Sequence, residues 1–226
     1  RQHRRHEAEK ALHRRLTGLL EDAGQAEREL VIGGDTTPIA ALLRESGATI
    51  LLCDYAAEPV ILLTETNVPN AENLSYFGNR NEAHAIYNFA LPPLILHAML
   101  SGTARHLNQW QMAMPPAQLG CAYLNFTASH DGIGMRPAEG LLDTGETAAM
   151  IGAVRDFGGL VSMRTLPGGG EAPYELNITW YEAMKGTLAG PDAWQFERFL
   201  CSQTIVMALE GIAAFYIHAL LATPND

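Results

Sequence analysis

Three polar clusters stand directly behind short apolar runs of this chain: Thr64-Glu65-Thr66-Asn67, Ser129-His130-Asp131-Gly132 and Asn225-Asp226. In parallel α/β folds the reactive groups lie at the carboxyl ends of the strands. A Glu and an Asp on alternate strands would face each other across a shared crevice. Glycosidic chemistry needs that arrangement: one carboxyl group protonates the leaving oxygen while another stabilises the positive charge on the sugar ring. His130, beside Asp131, adds a donor for a sugar hydroxyl. Each residue also has a plainer use. A Glu after a strand serves as a helix cap or a loop charge, Asp131-Gly132 is a turn signal, and a single His is a common loop residue. Gly168-Gly169-Gly170 reads as a flexible loop, and no helix starts there to cradle a phosphate. Trp180, Tyr181, Trp194, Phe196 and Phe199 read as core rather than as a sugar platform.

The elements that must hold these clusters follow from the apolar pattern. Val60–Thr64, Ala85–Leu91, Cys121–Thr127 and Ala213–Leu220 are short apolar runs of the kind buried on both faces of a parallel sheet. Pro92-Pro93 closes the second. Leu94–Leu100, Leu107–Met112 and Trp194–Leu209 carry helical spacing. The first three runs start about 25 and about 36 residues apart, the period of consecutive strand–helix units. Helices between strands imply right-handed crossovers. An open doubly wound sheet and a (β/α)8 barrel both satisfy the pattern. Neither a G-x-G-x-x-G nor a G-x-x-x-x-G-K-[ST] motif is present, which disfavours the nucleotide-binding version.

The first 30 residues differ in character, holding seven of the 15 Lys and Arg and three of the eight His. Glu7–Leu20 has a narrow helical stripe, and its acidic residues make a solvated helix a better reading than a basic arm. Gly33–Pro38 forms a weak linker. The organisation expected is therefore an unplaced basic helical segment, 1–37, and an α/β unit, 38–226. The net charge is −10, with 47% hydrophobic residues. A field of that sign repels phosphate backbones, so nucleic acid is not an expected partner. The apolar runs are too short to span a bilayer, so neither is a membrane. Three scattered cysteines make neither a disulfide framework nor a cysteine zinc site, and a reducing, cytoplasmic setting fits them.

Five strings, in order along the chain, resemble the sucrose-phosphorylase-like branch of glycoside hydrolase family 13, the α-amylase clan. They are ETNVPNAENLSYFG (Glu65–Gly78), YNFALPPLILHAML (Tyr87–Leu100), NFTASHDGIGMRPAEGLL (Asn125–Leu142), YELNITWYEAM (Tyr174–Met184) and GIAAFYIHALLATPND (Gly211–Asp226). The resemblance covers about residues 57–226. It implies that 38–226 is part of a (β/α)8 TIM barrel, its strands five to eight, with the active-site loops attached and the chain truncated at both ends. Carried over by position, Glu65 matches the general acid/base and Asp131 the carboxylate that stabilises the transition state. His130 matches the sugar-binding histidine. Arg164–Glu175 matches a mobile loop that presents acceptor- and phosphate-binding groups, with Tyr174 and Glu175 at its end. Asn67 stands where plain sucrose phosphorylases have a histidine, and Arg136 is a further expected substrate contact.

The resemblance implies a retaining α-glucoside phosphorylase. It would move glucose from sucrose, sucrose 6-phosphate or glucosylglycerate to inorganic phosphate, with no metal or organic cofactor. The family's nucleophilic Asp lies in an Arg-x-Asp motif that residues 1–56 do not match, and neither Asp35 nor Asp54 is assigned. The isolated chain is therefore expected to be inactive. Half a barrel has open edges, so alone it is expected to aggregate, remain molten or form a homodimer. Two other readings are a hydrolase or transglucosidase of the same family and a non-catalytic truncated remnant.

Overall fold

The computed structural model describes residues 61–78, 82–166 and 168–225. The expectations for 1–37, the linker and a helix from Pro38 lie outside the described residues, as does Val60.

Four parallel strands form the frame: β1 (Leu63–Thr64), β2 (Ala85–Tyr87), β3 (Ala122–Asn125) and β9 (Ile212–Ala213). They pair in chain order, with Leu63 opposite Ala85, Tyr87 opposite Leu124 and Asn125 opposite Ala213. A doubly wound sheet reverses its order at a switch point, whereas a barrel adds each strand beside the last. The strand order therefore favours the barrel type of the two that the apolar pattern left open.

Between β1 and β2 lies a short helix, α1 (Asn70–Ser75), and between β2 and β3 lie α2 (Leu91–Ser101) and α3 (Arg105–Ala113). The strand expected over Ala85–Leu91 is shorter than its apolar run. Pro92 and Pro93 do not close it from outside; they occupy the first turn of α2. There a missing N–H costs nothing, because the first turn has no carbonyl to bond. α2 is the centre of the core, with Leu91, Leu94, Ile95 and Leu96 fully buried. Gly102, at φ 72°, ends it in the left-handed conformation that glycine adopts without strain.

Beyond β3 the chain builds a second, antiparallel sheet. β4 (Ile133–Gly134) pairs with β6 (Glu171–Asn177), and β6 pairs with β5 (Leu160–Thr165). The segment expected as a loop, Arg164–Glu175, therefore lies in the β5–β6 hairpin. Only the tip around Gly168–Gly170 is irregular; Tyr174 and Glu175 are strand residues. α4 (Thr144–Asp156) precedes this hairpin and was not foreseen, because its face is poor in large apolar residues. Its signal was the capping box: Asp143 accepts from the Glu146 N–H at 2.8 Å, and the Glu146 carboxylate accepts from the Asp143 N–H at 3.0 Å.

The last third holds α5 (Trp180–Ala183), the pair β7 (Gly186–Thr187) and β8 (Gly190–Pro191), and α6 (Gln195–Ala208). α6 buries Phe199, Ser202, Gln203 and Val206, spaced as one helical face. Trp180 and Phe199 are core, as the sequence suggests, but Trp194 and Phe196 are exposed. The apolar run Ala213–Leu220 is not a strand throughout: pairing ends at Ala213 and Ile217–Leu220 is a helix, α7. Only Ala219 of α7 is buried. Among the described residues no helix is long and apolar enough to cross a membrane.

Candidate active site

Glu65 is the first residue beyond β1, so its backbone is carried by the end of a paired strand. His130 and Asp131 lie in the connection from β3 to β4. That connection is held locally, because Ser129 Oγ accepts from the Asp131 N–H at 3.2 Å. It also runs against β6 with no room to spare. A Cβ on Gly132 would stand 2.6 Å from Asn177 Oδ1 and 2.8 Å from the Leu176 carbonyl oxygen. The glycine in Asp131-Gly132 thus serves a close approach as well as a turn.

The result is the meeting that the spacing suggested. One ligating atom from each of Glu65, His130 and Asp131 lies within 4.8 Å of the others, on alternate strands of the parallel sheet. His130 Nε2 is 3.6 Å from Asp131 Oδ2, and their side chains are 72% and 57% exposed. Two carboxylates and an imidazole so placed could also accept a cation, although exposed acidic groups commonly stand together without one. On the other side, His130 and Asp131 line a pocket of about 390 Å³ with Tyr216, His218 and Asn177. That volume suits a sugar-sized ligand.

Glu175 and Tyr87 complete the electrostatics. Burial pushes the Glu175 carboxyl above the usual carboxylate range, and the Asp131 charge adds to the rise. Burial likewise raises the Tyr87 hydroxyl above the usual phenol value, with the Glu65 charge adding to it. Tyr87 ends β2 between the two carboxylate-bearing strands. It stacks on Phe89, with centroids 5.5 Å apart, and meets Phe126 edge-on at 5.2 Å. This aromatic group was not singled out from the sequence, although the YNF and NFT strings contain it.

The remaining expected residues are less central. Asn67 packs its amide against β4, where a Cβ on Gly134 would be 2.7 Å from Asn67 Oδ1. That oxygen is buried without a hydrogen-bond partner. Glu175 pairs with Gly134, so Asn67 and Glu175 meet the same point of β4. Tyr174 is half-buried on β6, and its carbonyl accepts from the Met135 N–H at 2.9 Å. Arg136 starts a short 3-10 helix after β4, with its Nε buried and without a hydrogen bond. Asn225, in the third polar cluster, is engaged structurally, accepting from the Thr179 N–H at 2.8 Å.

The chain matches known proteins over most of its length. A glucosylglycerate phosphorylase from Spirochaeta thermophila is 43% identical over 175 residues, covering 77% of this chain and 29% of that protein. One from Allomeiothermus silvanus is 40% identical, covering 78% and 32%, and one from Escherichia coli is 36% identical, covering 77% and 31%. The crystal structure of sucrose 6F-phosphate phosphorylase from Thermoanaerobacter thermosaccharolyticum superposes with a TM-score of 0.61 at 22% identity, covering 74% of this chain and 32% of that one. No protein-family model matches. The chain spans about a third of the length of the curated relatives it matches. It belongs to the sucrose-phosphorylase-like branch of glycoside hydrolase family 13.

Proposed function

We propose that this chain supplies strands five to eight of the (β/α)8 barrel of a retaining α-glucoside phosphorylase, with glucosylglycerate as the donor favoured by its relatives. The observation that carries this reading is the convergence of Glu65, His130 and Asp131 within 4.8 Å at the ends of alternate parallel strands. The 36–43% identity to glucosylglycerate phosphorylases supports the donor.

Glu65 is the general acid. Its carboxyl proton passes to the glycosidic oxygen as the bond to the anomeric carbon breaks, and the carboxylate left behind takes a proton from the incoming phosphate. Asp131 stabilises the positive charge that develops on the ring. His130 donates to a glucose hydroxyl. The retaining route needs a further carboxylate as nucleophile. No residue of this chain is assigned that role, and the chain alone is inactive. Tyr174, Glu175, Asn67 and Arg136 face the acceptor and the phosphate. The product is α-glucose 1-phosphate, and the enzyme works in the cytoplasm.

A chimera tests this: residues 57–226 replace the matching segment of the Spirochaeta thermophila protein. The expected result is phosphate-dependent release of α-glucose 1-phosphate from glucosylglycerate. Release of free glucose at a rate independent of phosphate would assign a hydrolase instead. A folded chimera with neither activity would leave a non-catalytic chain.

A further inference from the structure

A second cluster lies away from the strand ends, where α2, α3 and α4 meet. His106 Nε2 on α3 is 2.7 Å from Glu146 Oε1 on α4, and His97 Nε2 on α2 is 3.8 Å from the same oxygen. The two rings meet edge-on with centroids 5.2 Å apart. One ligating atom from each of the three residues lies within 4.8 Å of the others.

His97 is only 4% exposed, and 3.8 Å is beyond hydrogen-bond reach. Among the described residues no hydrogen bond serves its ring. An imidazole nitrogen and a carboxylate oxygen at that separation can share a cation.

We propose that His97, His106 and Glu146 form a binding site for a divalent ion of the zinc class, with water as fourth ligand. Two nitrogens and one carboxylate oxygen suit that ion, and the three atoms already lie within 4.8 Å of one another. The carboxylate is already oriented, because Glu146 Oε2 accepts from the Asp143 N–H. Such outer support is typical of metal ligands. Arg105 is the competitor. Its guanidinium lies 3.3 Å from Glu146 Oε1 and 3.1 Å from His106 Nε2, yet its side chain is 61% exposed. It stands where the cation's charge would be and swings into solvent when the ion enters. The ion would tie α4 to α2 and α3, remote from the strand-end site.

The test is Zn2+ competition against a chromogenic chelator, using the full chain after chelator treatment. His106→Gln and Glu146→Gln should each weaken binding by roughly 10-fold or more, at least the loss seen when a ligand's outer partner is removed. Gln at 146 can still accept the capping hydrogen bond. Arg105→Ala should tighten binding, and Asp131→Asn should leave it unchanged. Wild-type affinity in both Gln variants overturns the proposal, as does a loss confined to Asp131→Asn. If the Gln variants fail to fold, Arg105→Ala decides: tighter binding supports the site, and unchanged or weaker binding overturns it.

Discussion

At the strand ends, Glu65, His130 and Asp131 gather two carboxylates and an imidazole; at the α2–α3–α4 junction, His97, His106 and Glu146 gather two imidazoles and a carboxylate within the same 4.8 Å. The first group is exposed and held by its backbone, through a strand end and a tight glycine. Its charges have few protein partners and are free to meet a ligand. The second group is half-buried to buried, and Glu146 is engaged by His106, Arg105 and the Asp143 N–H together. Similar side chains at similar spacing thus differ in what remains unbonded. The rim leaves its charged groups exposed, and the helix junction is tied into the packing.

The sharpest way to break this comparison is at Glu65. In the chimera described above, Glu65→Gln should slow phosphorolysis on the order of 10²–10⁴-fold, the range of general acid catalysis. Glucosyl fluoride, which needs no proton to leave, should restore glucosyl-enzyme formation. Asp131→Asn should be slow with both donors, because it removes charge from the ring rather than a proton from the leaving group. Equal rescue of both variants, or of neither, would overturn the assignment of the two roles. The comparison predicts the opposite pattern for stability. Leu94, fully buried on α2, should cost about 2–5 kcal/mol on Leu94→Ala in urea unfolding, whereas His130→Ala at the rim should stay within about 0.5 kcal/mol of wild type.

A smaller effect separates the cap from the cluster. Asp143→Ala removes the side-chain half of the capping box and should cost about 0.5–2 kcal/mol by the same measurement. The smallest effect is in the pH dependence of Glu175. Its carboxyl titrates above the ordinary range when folded, so the folded state holds that proton at pH values where the unfolded state has lost it. Stability is then greatest below the ordinary Glu value and falls as pH rises through the raised one. Glu175→Gln should flatten this slope in melting curves from acid to neutral pH. Asp131→Asn should bring the Glu175 titration, followed by carboxyl NMR shifts, back toward the usual range, leaving the part due to burial.

Much of the frame was legible. β-branched and apolar runs contained β1 and marked the beginnings of β2 and β3, and the periodic apolar residues marked α2, α3 and α6. The misses have separate causes. α4 shows only a capping signature and a weak apolar face, so its packing against α2 decides its course. The resemblance implied a loop over Arg164–Glu175, but β5 and β6 pair with each other up to Thr165 and Glu171, so all but the tip is strand. Ala213–Leu220 is apolar enough for a strand, yet pairing with β3 extends only to Ala213, and the chain then turns into α7. At the site, Glu65 and Asp131 were legible from their positions after apolar runs, while Tyr87, Phe89 and Phe126 were not, because nothing local marks aromatic residues that meet across two strands.

Local chemistry was determined by the sequence alone: where prolines admit a helix, and where Asp143 and Glu146 cap one another. These features depend on residues within one or two turns of each other, so neighbours in the chain suffice to specify them. Which distant groups share a site was decided only by the tertiary structure. The parallel order of β1, β2 and β3 brings Glu65 to Asp131, and the packing of α2, α3 and α4 brings His97 to Glu146. A carboxylate or an imidazole acquires its role from the charge, the burial and the unfilled hydrogen bonds around it, and folding alone supplies those surroundings.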